Sequence, residues 1–259
     1  MDLKLENKTA LITGSTKGIG FAIARSLASE GAKVIINGRT PDSISKGVEK
    51  LGGMVRGVAA DVSTAEGCAE LIRQVPEVDI LINNAGIFEP RPFVEISDDD
   101  WERFYRINVL SGVRLTRAYL PGMLSRNWGR VVFISSESGI QIPPEMIHYG
   151  VTKAAQISLV NGLAQLTRGT QVTVNAVLPG PTASEGVQEF VGQLAADENL
   201  TREHFEKSFF QNVRPTSLLQ RFAHVDEVAH TVAFVCSPLA SATNSAAVRV
   251  DGGVVRATA

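Results

Sequence analysis

Short apolar runs rich in β-branched residues alternate with longer amphipathic stretches along most of the 259 residues. The short runs predict strands at residues 10–13, 33–37, 55–59, 80–83, 131–135, 172–177 and 247–250. The longer stretches predict helices at residues 19–29, 41–51, 65–75, 98–125, 148–167 and 225–236. Several strands are almost wholly apolar, which is typical of parallel strands covered on both faces. The alternation predicts an α/β fold with a doubly wound parallel sheet of about seven strands.

One segment, residues 181–215, interrupts this alternation with no strand pattern and only two weak helical patterns. A long insertion after the end of a strand is more often a functional lid than a disordered loop. Its phenylalanines are Phe190, Phe205, Phe209 and Phe210. They would either close over a compact apolar substrate or pack the insertion onto the body or a neighbouring subunit. Elsewhere we find no linker and no repeat, so we expect one domain over residues 1–259.

Composition excludes several classes of protein. A net charge of -2 gives no electrostatic footprint for nucleic acid. The two cysteines are far apart and the four histidines form no metal-spaced cluster, so we expect reduced thiols and no metal site. The first ten residues are no signal peptide, and no apolar run approaches the ~20 residues of a membrane span. We expect a soluble, cytoplasmic protein with no membrane partner.

A glycine-rich turn joins the first predicted strand to the first helix, in the order Thr13, Gly14, Ser15, Thr16, Lys17, Gly18, Ile19 and Gly20. Glycines permit a tight turn and let backbone N–H groups approach a pyrophosphate, which a helix N-terminus also attracts. Such a turn is weak evidence alone, but its position between strand and helix is the context expected of a dinucleotide site.

Tyr149 and Lys153 stand four residues apart, about one turn of the predicted helix, so both side chains project from the same face. A nearby cation favours the phenolate, which predicts a lowered pKa for Tyr149. A phenol tuned in this way can donate or accept a proton near neutral pH, as the interconversion of a carbonyl and an alcohol requires.

Taken together, these motifs resemble those of the short-chain dehydrogenase/reductase family, in its ketoacyl-reductase-like branch. The resemblance rests on the glycine-rich turn, Asn83-Asn84-Ala85-Gly86, Ser136, the Tyr149/Lys153 pair and Pro179-Gly180, in family order over essentially the whole chain. It implies a Rossmann fold and an oxidoreductase that moves a hydride between a nicotinamide dinucleotide and a carbonyl or alcohol.

The resemblance also implies catalytic roles for four residues. Tyr149 would be the general acid/base and Ser136 the second group that polarises the substrate oxygen. Lys153 would tune Tyr149 and bind the nicotinamide ribose, and Asn108 would hold a water that resupplies protons. The alternative for Asn108 is a structural role in bending its helix. Ser135 competes with Ser136, but neighbouring strand residues face opposite sides, and the family spacing of thirteen residues to Tyr149 selects Ser136.

Further cofactor contacts follow from the resemblance. They are the backbone and side chains of the glycine-rich turn, with Asp61, Val62, Asn84, Ala85, Gly86, Tyr149, Lys153, Pro179, Gly180 and Thr182. Two of these have an equally good structural explanation. Asp61 would either accept a hydrogen bond from the adenine or cap the following helix. Thr182 would either bind the cofactor or simply begin a loop.

The choice between NAD and NADP rests on the end of the second strand, where an acidic residue often binds the ribose 2′-hydroxyl. Gly38 occupies that place, and Arg39 follows it. Lys17 adds a second cation in the glycine-rich turn, so we expect NADP(H) in preference to NAD(H). The alternative is that Lys17 and Arg39 are solvated surface charges.

The substrate is not determined by these motifs. Glu137 and Glu145 would either meet a cationic or hydroxylated substrate or remain solvated loop carboxylates. The leading hypothesis is an NADP-dependent carbonyl reductase or alcohol dehydrogenase, and the first alternative is a 3-oxoacyl-thioester (acyl carrier protein) reductase. A remote alternative is a non-catalytic dinucleotide-binding sensor or scaffold. By analogy with relatives we expect a homotetramer, with a dimer as the alternative.

Overall fold

The computed structural model describes residues 1–53, 55–185, 187 and 201–257. Its strands are β1 (Thr9–Ile12), β2 (Lys33–Gly38), β3 (Val55–Ala59), β4 (Ile80–Asn83), β5 (Gly129–Ile134), β6 (Val172–Pro179) and β7 (Ala247–Val250). They pair in parallel in the order β3-β2-β1-β4-β5-β6-β7. The predicted parallel sheet of seven strands is confirmed. β6 is longer than predicted because Pro179 still pairs with Val250 of the edge strand β7.

The helices in the described part of the chain are α1 (Gly18–Ser29), α2 (Pro41–Leu51), α3 (Ala65–Gln74), α4 (Asp98–Tyr105), α5 (Ser111–Ser125), α6 (Ile147–Gln165), α7 (Arg202–Ser208) and α8 (Val225–Cys236). Short 3₁₀ turns occupy Phe93–Glu95, Glu137–Gly139, Pro144–Met146 and Pro238–Ala240. Among the described residues, no helix is both long and apolar enough to cross a membrane.

Helices cover both faces of the sheet, and each face has its own apolar core. Leu11 and Ile12 are neighbours on β1, and their side chains enter different cores because strand side chains alternate. The Ile12 core includes α1 and α8, whereas the Leu11 core includes α3, α5 and α6. Burial on both faces explains why the strands read as nearly continuous apolar runs.

The helical segment predicted over residues 98–125 has those bounds in the structure, but it is not one regular α-helix. A π-helical turn, Arg106–Leu110, separates α4 from α5. In a π-helical turn the backbone hydrogen bonds join residues five apart instead of four. Side chains donate to two carbonyl groups of this turn: Gln156 Nε2 to Asn108 O, and Ser111 Oγ to Ile107 O. The apolar periodicity continues across this turn, which is why the sequence pattern does not reveal it.

The insertion, residues 181–215, lies partly outside the described residues, and so does Phe190. Its described part contains α7 and a second π-helical turn, Phe209–Val213. The segment is anchored at its start by a bridge between Thr182 and Ala223. Phe205, Phe209 and Phe222 stack on one another, with ring centroids 6.5 and 5.1 Å apart along the series.

Candidate active site

A cavity of about 710 Å³ opens at the carboxyl ends of the strands. Ligands bind at this edge in open α/β sheets because the loops that follow the strands converge there. The predicted residues that line it are Ile19, Asn84, Gly86, Ser135, Ser136, Glu137, Glu145, Tyr149, Lys153, Pro179, Gly180 and Thr182. The insertion closes one side with Val187, Phe205, Phe209 and Arg214. Residues predicted from separate motifs therefore share one cavity.

The glycine-rich turn is held in a fixed shape by its own neighbours. Gly14 and Gly18 have φ of +59° and +63°, values that favour glycine. Asn84 Nδ2 donates to the backbone oxygens of Thr13 and Gly14, at 2.9 Å in each case. The Thr13 hydroxyl accepts from the backbone N–H groups of Asn84 and Ala85. The side chain of Asn84 thus braces the turn that would hold a pyrophosphate.

Ser15 points into the protein. Its hydroxyl donates to Ile12 O at 2.6 Å and accepts from Asn37 N at 3.0 Å, and its own N–H donates to Asn37 O. Ser15 therefore ties the turn to β2. Ile19 faces the cavity, and Thr16 lies against Gly38.

The start of α1 already holds an anionic group. The Gly18 N–H donates to a carboxylate oxygen of Glu185, in the insertion, at 2.6 Å. The side chains of Lys17 and Arg39 are exposed and make no ion pair within the described part of the chain. The helix N-terminus therefore accommodates an anion, and two unpaired cations lie close to it in the sequence. Both features suit the negatively charged phosphates of a dinucleotide.

Asp61 does not cap α3, so that alternative is wrong. The N-cap is Thr64, whose hydroxyl accepts from Gly67 N at 2.9 Å. Asp61 is exposed beyond β3, and its carboxylate accepts from Ser63 N at 3.0 Å. Val62 beside it is buried in the Leu11 core. The actual cap, Thr64, thus lies three positions after Asp61.

The ends of β4 and β6 approach the cavity from opposite sides of β5. A Cβ atom at Gly86 would lie 3.6 Å from Lys153 Nζ, so the backbone after β4 passes directly beside that side chain. Pro179 and Gly180 line the cavity at the end of β6. The Thr182 hydroxyl is buried and donates to Gly180 O at 2.9 Å. That bond is what a loop-starting threonine would make, and it leaves the oxygen able to accept.

The hydroxyls of Ser135 and Ser136 have different partners, although both residues line the cavity and both lie beyond the end of β5. The Ser135 hydroxyl donates locally to the backbone oxygen of Lys153 at 2.9 Å. The Ser136 hydroxyl instead donates to Glu137 Oε2 at 2.5 Å and accepts from Ser138 N at 3.1 Å. Ser136 lies beyond the end of β5 and is the N-cap of the 3₁₀ turn Glu137–Gly139.

Tyr149 and Lys153 share one face of α6, with Lys153 Nζ 5.5 Å from the centre of the Tyr149 ring. The Lys153 ammonium donates to Ile134 O at 2.8 Å and to Gln156 Oε1 at 3.3 Å. Burial lowers the pKa of Lys153 to about 7, although the charge of Glu137 opposes that change.

The predicted lowering of the Tyr149 pKa is wrong for this structure. Burial, and then the negative charge of Glu137, raise the pKa of Tyr149 above its usual value, while Ser136 and Arg214 oppose them weakly. Desolvation disfavours the phenolate, and near neutral pH the buried Lys153 carries only part of its charge. Tyr149 is therefore a proton donor over the whole neutral range.

Three hydrogen bonds to protein groups fix the Asn108 side chain, and its oxygen keeps one lone pair. Its amide donates to Ile87 O at 3.0 Å and to the Thr152 hydroxyl at 2.9 Å, and its oxygen accepts from Ile87 N at 2.8 Å. Its backbone oxygen accepts from Gln156, which also accepts from Lys153. Gln156 is thus a connecting residue that the sequence did not suggest, although it lies one helical turn after Lys153 on the same face.

Glu137 is not a solvated loop carboxylate, and Glu145 pairs with Arg214 although its side chain is 37% exposed. The Glu137 residue is only 5% exposed, and burial raises its pKa despite the hydrogen bonds of Ser136 and Ser138 and the charge of Arg214. Arg214 lies 3.7 Å from Glu137 through Nε, and its Nη1 donates to Glu145 Oε1 at 2.9 Å. The solvated carboxylate expected from the sequence is wrong for Glu137, which is buried beside Arg214 of the insertion.

Comparisons with known proteins agree on one family. The family model for short chain dehydrogenases matches residues 8–195. An uncharacterised oxidoreductase of Bacillus subtilis, YvaG, is 51% identical over 99% of both chains. A 3-oxoacyl-[acyl-carrier-protein] reductase of Aquifex aeolicus is 32% identical over 98% of this chain and all of its own. The crystal structure of L-sorbose reductase from Gluconobacter frateurii, complexed with NADPH and L-sorbose, superposes with a TM-score of 0.93. It is 31% identical and covers 99% of this chain and 100% of its own.

Proposed function

The chain belongs to the short-chain dehydrogenase family, and from this premise we propose that it reduces a small carbonyl compound to an alcohol with NADPH. The observation that carries the proposal is the shared cavity, in which Ser136, Tyr149 and Lys153 stand beside the glycine-rich turn. Titratable groups with displaced pKa values in a cavity are the usual mark of an active site.

Each group has a chemical role in this proposal. A bound dinucleotide would supply the hydride. Tyr149 donates its proton to the substrate oxygen as negative charge develops there, and its raised pKa keeps that proton available. Ser136 donates a second hydrogen bond to the same oxygen. Lys153 binds the ribose, and the Gln156–Asn108 connection holds Lys153 in place.

The cofactor assignment extends to residues around the turn. The N–H groups at the start of α1 would hold the pyrophosphate once the Glu185 carboxylate gives way. Lys17 and Arg39 would hold the 2′-phosphate that distinguishes NADP from NAD. Asp61 would meet the adenine and Thr182 the nicotinamide end. Support for NADP comes from the relatives crystallised with it, the L-sorbose reductase among them.

The test is a conservative removal of the phenolic hydroxyl. Tyr149→Phe should fold, bind NADPH and lose about 10²- to 10⁴-fold in kcat for ketone reduction, the usual size of a general-acid contribution. Tyr105→Phe makes the same change at an exposed tyrosine outside the cavity, and it should keep full activity. Retention of turnover by Tyr149→Phe would remove Tyr149 from the mechanism.

Substrate class is decided by a panel of carbonyl compounds followed through NADPH absorbance. The walls formed by Phe205, Phe209 and Arg214 favour a compact substrate over a chain attached to a carrier protein. The relationship to the 3-oxoacyl reductases favours the alternative, which predicts higher kcat/KM with acetoacetyl thioesters than with small ketones. Stoichiometric NADPH binding without any turnover would support a sensor or scaffold. Light scattering tests the homotetramer that we propose for the assembly.

A further inference from the structure

The Ser136 hydroxyl has one hydrogen, and in this structure it is directed at Glu137. Ser136 Oγ donates to Glu137 Oε2 at 2.5 Å and accepts the Ser138 N–H at 3.1 Å. A serine hydroxyl donates a single hydrogen bond and accepts two. While Glu137 takes that hydrogen, none remains for a substrate oxygen in the cavity.

The state of Glu137 therefore decides what Ser136 can do. If Glu137 is protonated, the carboxyl hydrogen can lie between the two side chains, and Ser136 becomes the acceptor of that bond. Ser136 then accepts from both Glu137 and Ser138, and its own hydrogen is free to turn toward the cavity. If Glu137 is ionised, it can only accept, and the serine hydrogen stays with it.

The surroundings of Glu137 hold both states within reach. Ser136 and Ser138 face it from its own turn, where Ser138 Oγ lies 3.2 Å from Oε1. Arg214 faces it from the insertion at 3.7 Å, with Glu145 on the other side of that guanidinium. The half-buried Tyr149 and the buried Lys153 face it from α6, and its charge acts on the pKa of both. Burial keeps Glu137 protonated to a pH above the ordinary range of a carboxyl pKa, while Arg214 limits the displacement.

We propose that Glu137 is a positioning residue that turns the Ser136 hydrogen toward the substrate when it is protonated and withdraws it when it is ionised. This inference rests on the proposed function, because it concerns the reduction at the same site. The proton of Glu137 is not consumed, since it stays on the carboxyl while Ser136 donates its own hydrogen bond.

The test compares pH profiles of kcat/KM for carbonyl reduction in the unsubstituted protein and in Glu137→Gln. Arg214 can only donate, so the Gln oxygen should face Arg214 and the Gln N–H₂ should face Ser136, as the protonated acid does. The unsubstituted protein should lose activity as Glu137 ionises. Glu137→Gln should retain activity within about tenfold at low pH and should lack that step, so that only the titrations of Lys153 and Tyr149 remain in its profile.

Two further variants separate positioning from a structural role. Glu145→Gln changes the other carboxylate on Arg214 but leaves the Ser136–Glu137 pair intact, so its profile should keep the step. Ser136→Ala removes the group through which Glu137 acts, so Glu137→Gln should not alter the profile any further in that background. The proposal is overturned if Glu137→Gln retains the step, or changes the profile equally with and without Ser136.

An infrared titration supplies a readout that needs no substrate. The difference spectrum between the unsubstituted protein and Glu137→Gln should show the band of a protonated carboxyl, and the band should vanish over the pH range in which activity falls. A carboxyl that is already ionised at the pH of full activity overturns the proposal. Failure of the proposed function looks different: no variant would turn over any carbonyl compound, and this inference would fall with it.

Discussion

Arg39 offers the sharpest test of the cofactor assignment, because its exposed side chain makes no ion pair within the described residues. It follows directly after β2 at the carboxyl edge of the sheet, beside the glycine-rich turn, where the backbone of Gly38 lies against Thr16. Substitution by alanine should therefore cost the fold almost nothing and should act on the bound 2′-phosphate alone.

The expected size of the effect follows from exposure. A hydrogen bond to a charged group contributes about 1.5–3 kcal/mol net, and water around an exposed guanidinium holds the value toward the lower end. We expect a loss of about 1.5–2.5 kcal/mol in NADPH binding, which corresponds to roughly 10- to 70-fold in Kd. NADH has no 2′-phosphate, so its Kd should hardly change.

The assay is the ratio of kcat/KM with NADPH to kcat/KM with NADH, together with Kd values from fluorescence titration. Lys33→Ala is the matched control, since Lys33 is an exposed cation at the opposite end of β2, about 20 Å from Arg39 along the strand. Added salt should reduce the difference in the Kd for NADPH between the unsubstituted protein and Arg39→Ala. An unchanged ratio, or an equal loss with both cofactors, would refute the reasoning.

Three further predictions concern stability and packing. The pKa of Lys153 falls from 10.5 to about 7 on folding, so between these values the unfolded chain binds more protons and stability rises with pH. Lys153→Met should therefore raise Tm most at pH 6 and progressively less toward pH 9 by calorimetry, and a pH-independent gain would contradict this. Phe104→Ala should lower the free energy of unfolding by about 3–5 kcal/mol in urea titrations, because the ring is fully buried. A Cβ at Gly38 would lie 2.7 Å from Thr16 Cγ2 in the glycine-rich turn, so Gly38→Ala should weaken dinucleotide binding. A Cβ at Gly162 meets nothing within 4 Å, so Gly162→Ala should stabilise α6 by up to about 1 kcal/mol.

The strands were predictable because burial on both faces leaves a strong local signal. Runs such as Ile80–Asn83 are apolar at nearly every position, and turn residues bound them. The glycine-rich turn and the Tyr149/Lys153 pair were predictable for a similar reason, since their chemistry lies within a few neighbouring residues. The meeting of Ser136 with this pair follows once the strand order brings β5 and α6 together.

Features that depend on distant parts of the chain were not predictable. Arg214 is 69 residues from Glu145, and nothing in either local pattern indicates that they pair. The direction of the Tyr149 pKa was not predictable either, because it depends on burial and on the charge of the neighbouring Glu137. The capping alternative for Asp61 failed for a local reason. Asp61 and Thr64 are both good capping residues, and only the path of the backbone selects Thr64.

The π-helical turn between α4 and α5 constrains how this protein can change in length. A regular α-helix advances about 100° per residue, so removing one residue from Arg106–Leu110 would restore ordinary pairing but swing α4 around by more than a quarter turn. Phe104 would leave the core, and Asn108 O would lose the Gln156 amide that it now accepts from. A one-residue deletion that a surface helix tolerates should therefore prevent folding when it falls within Arg106–Leu110. The π-helical turn therefore fixes the number of residues between Ser97 and Ser125.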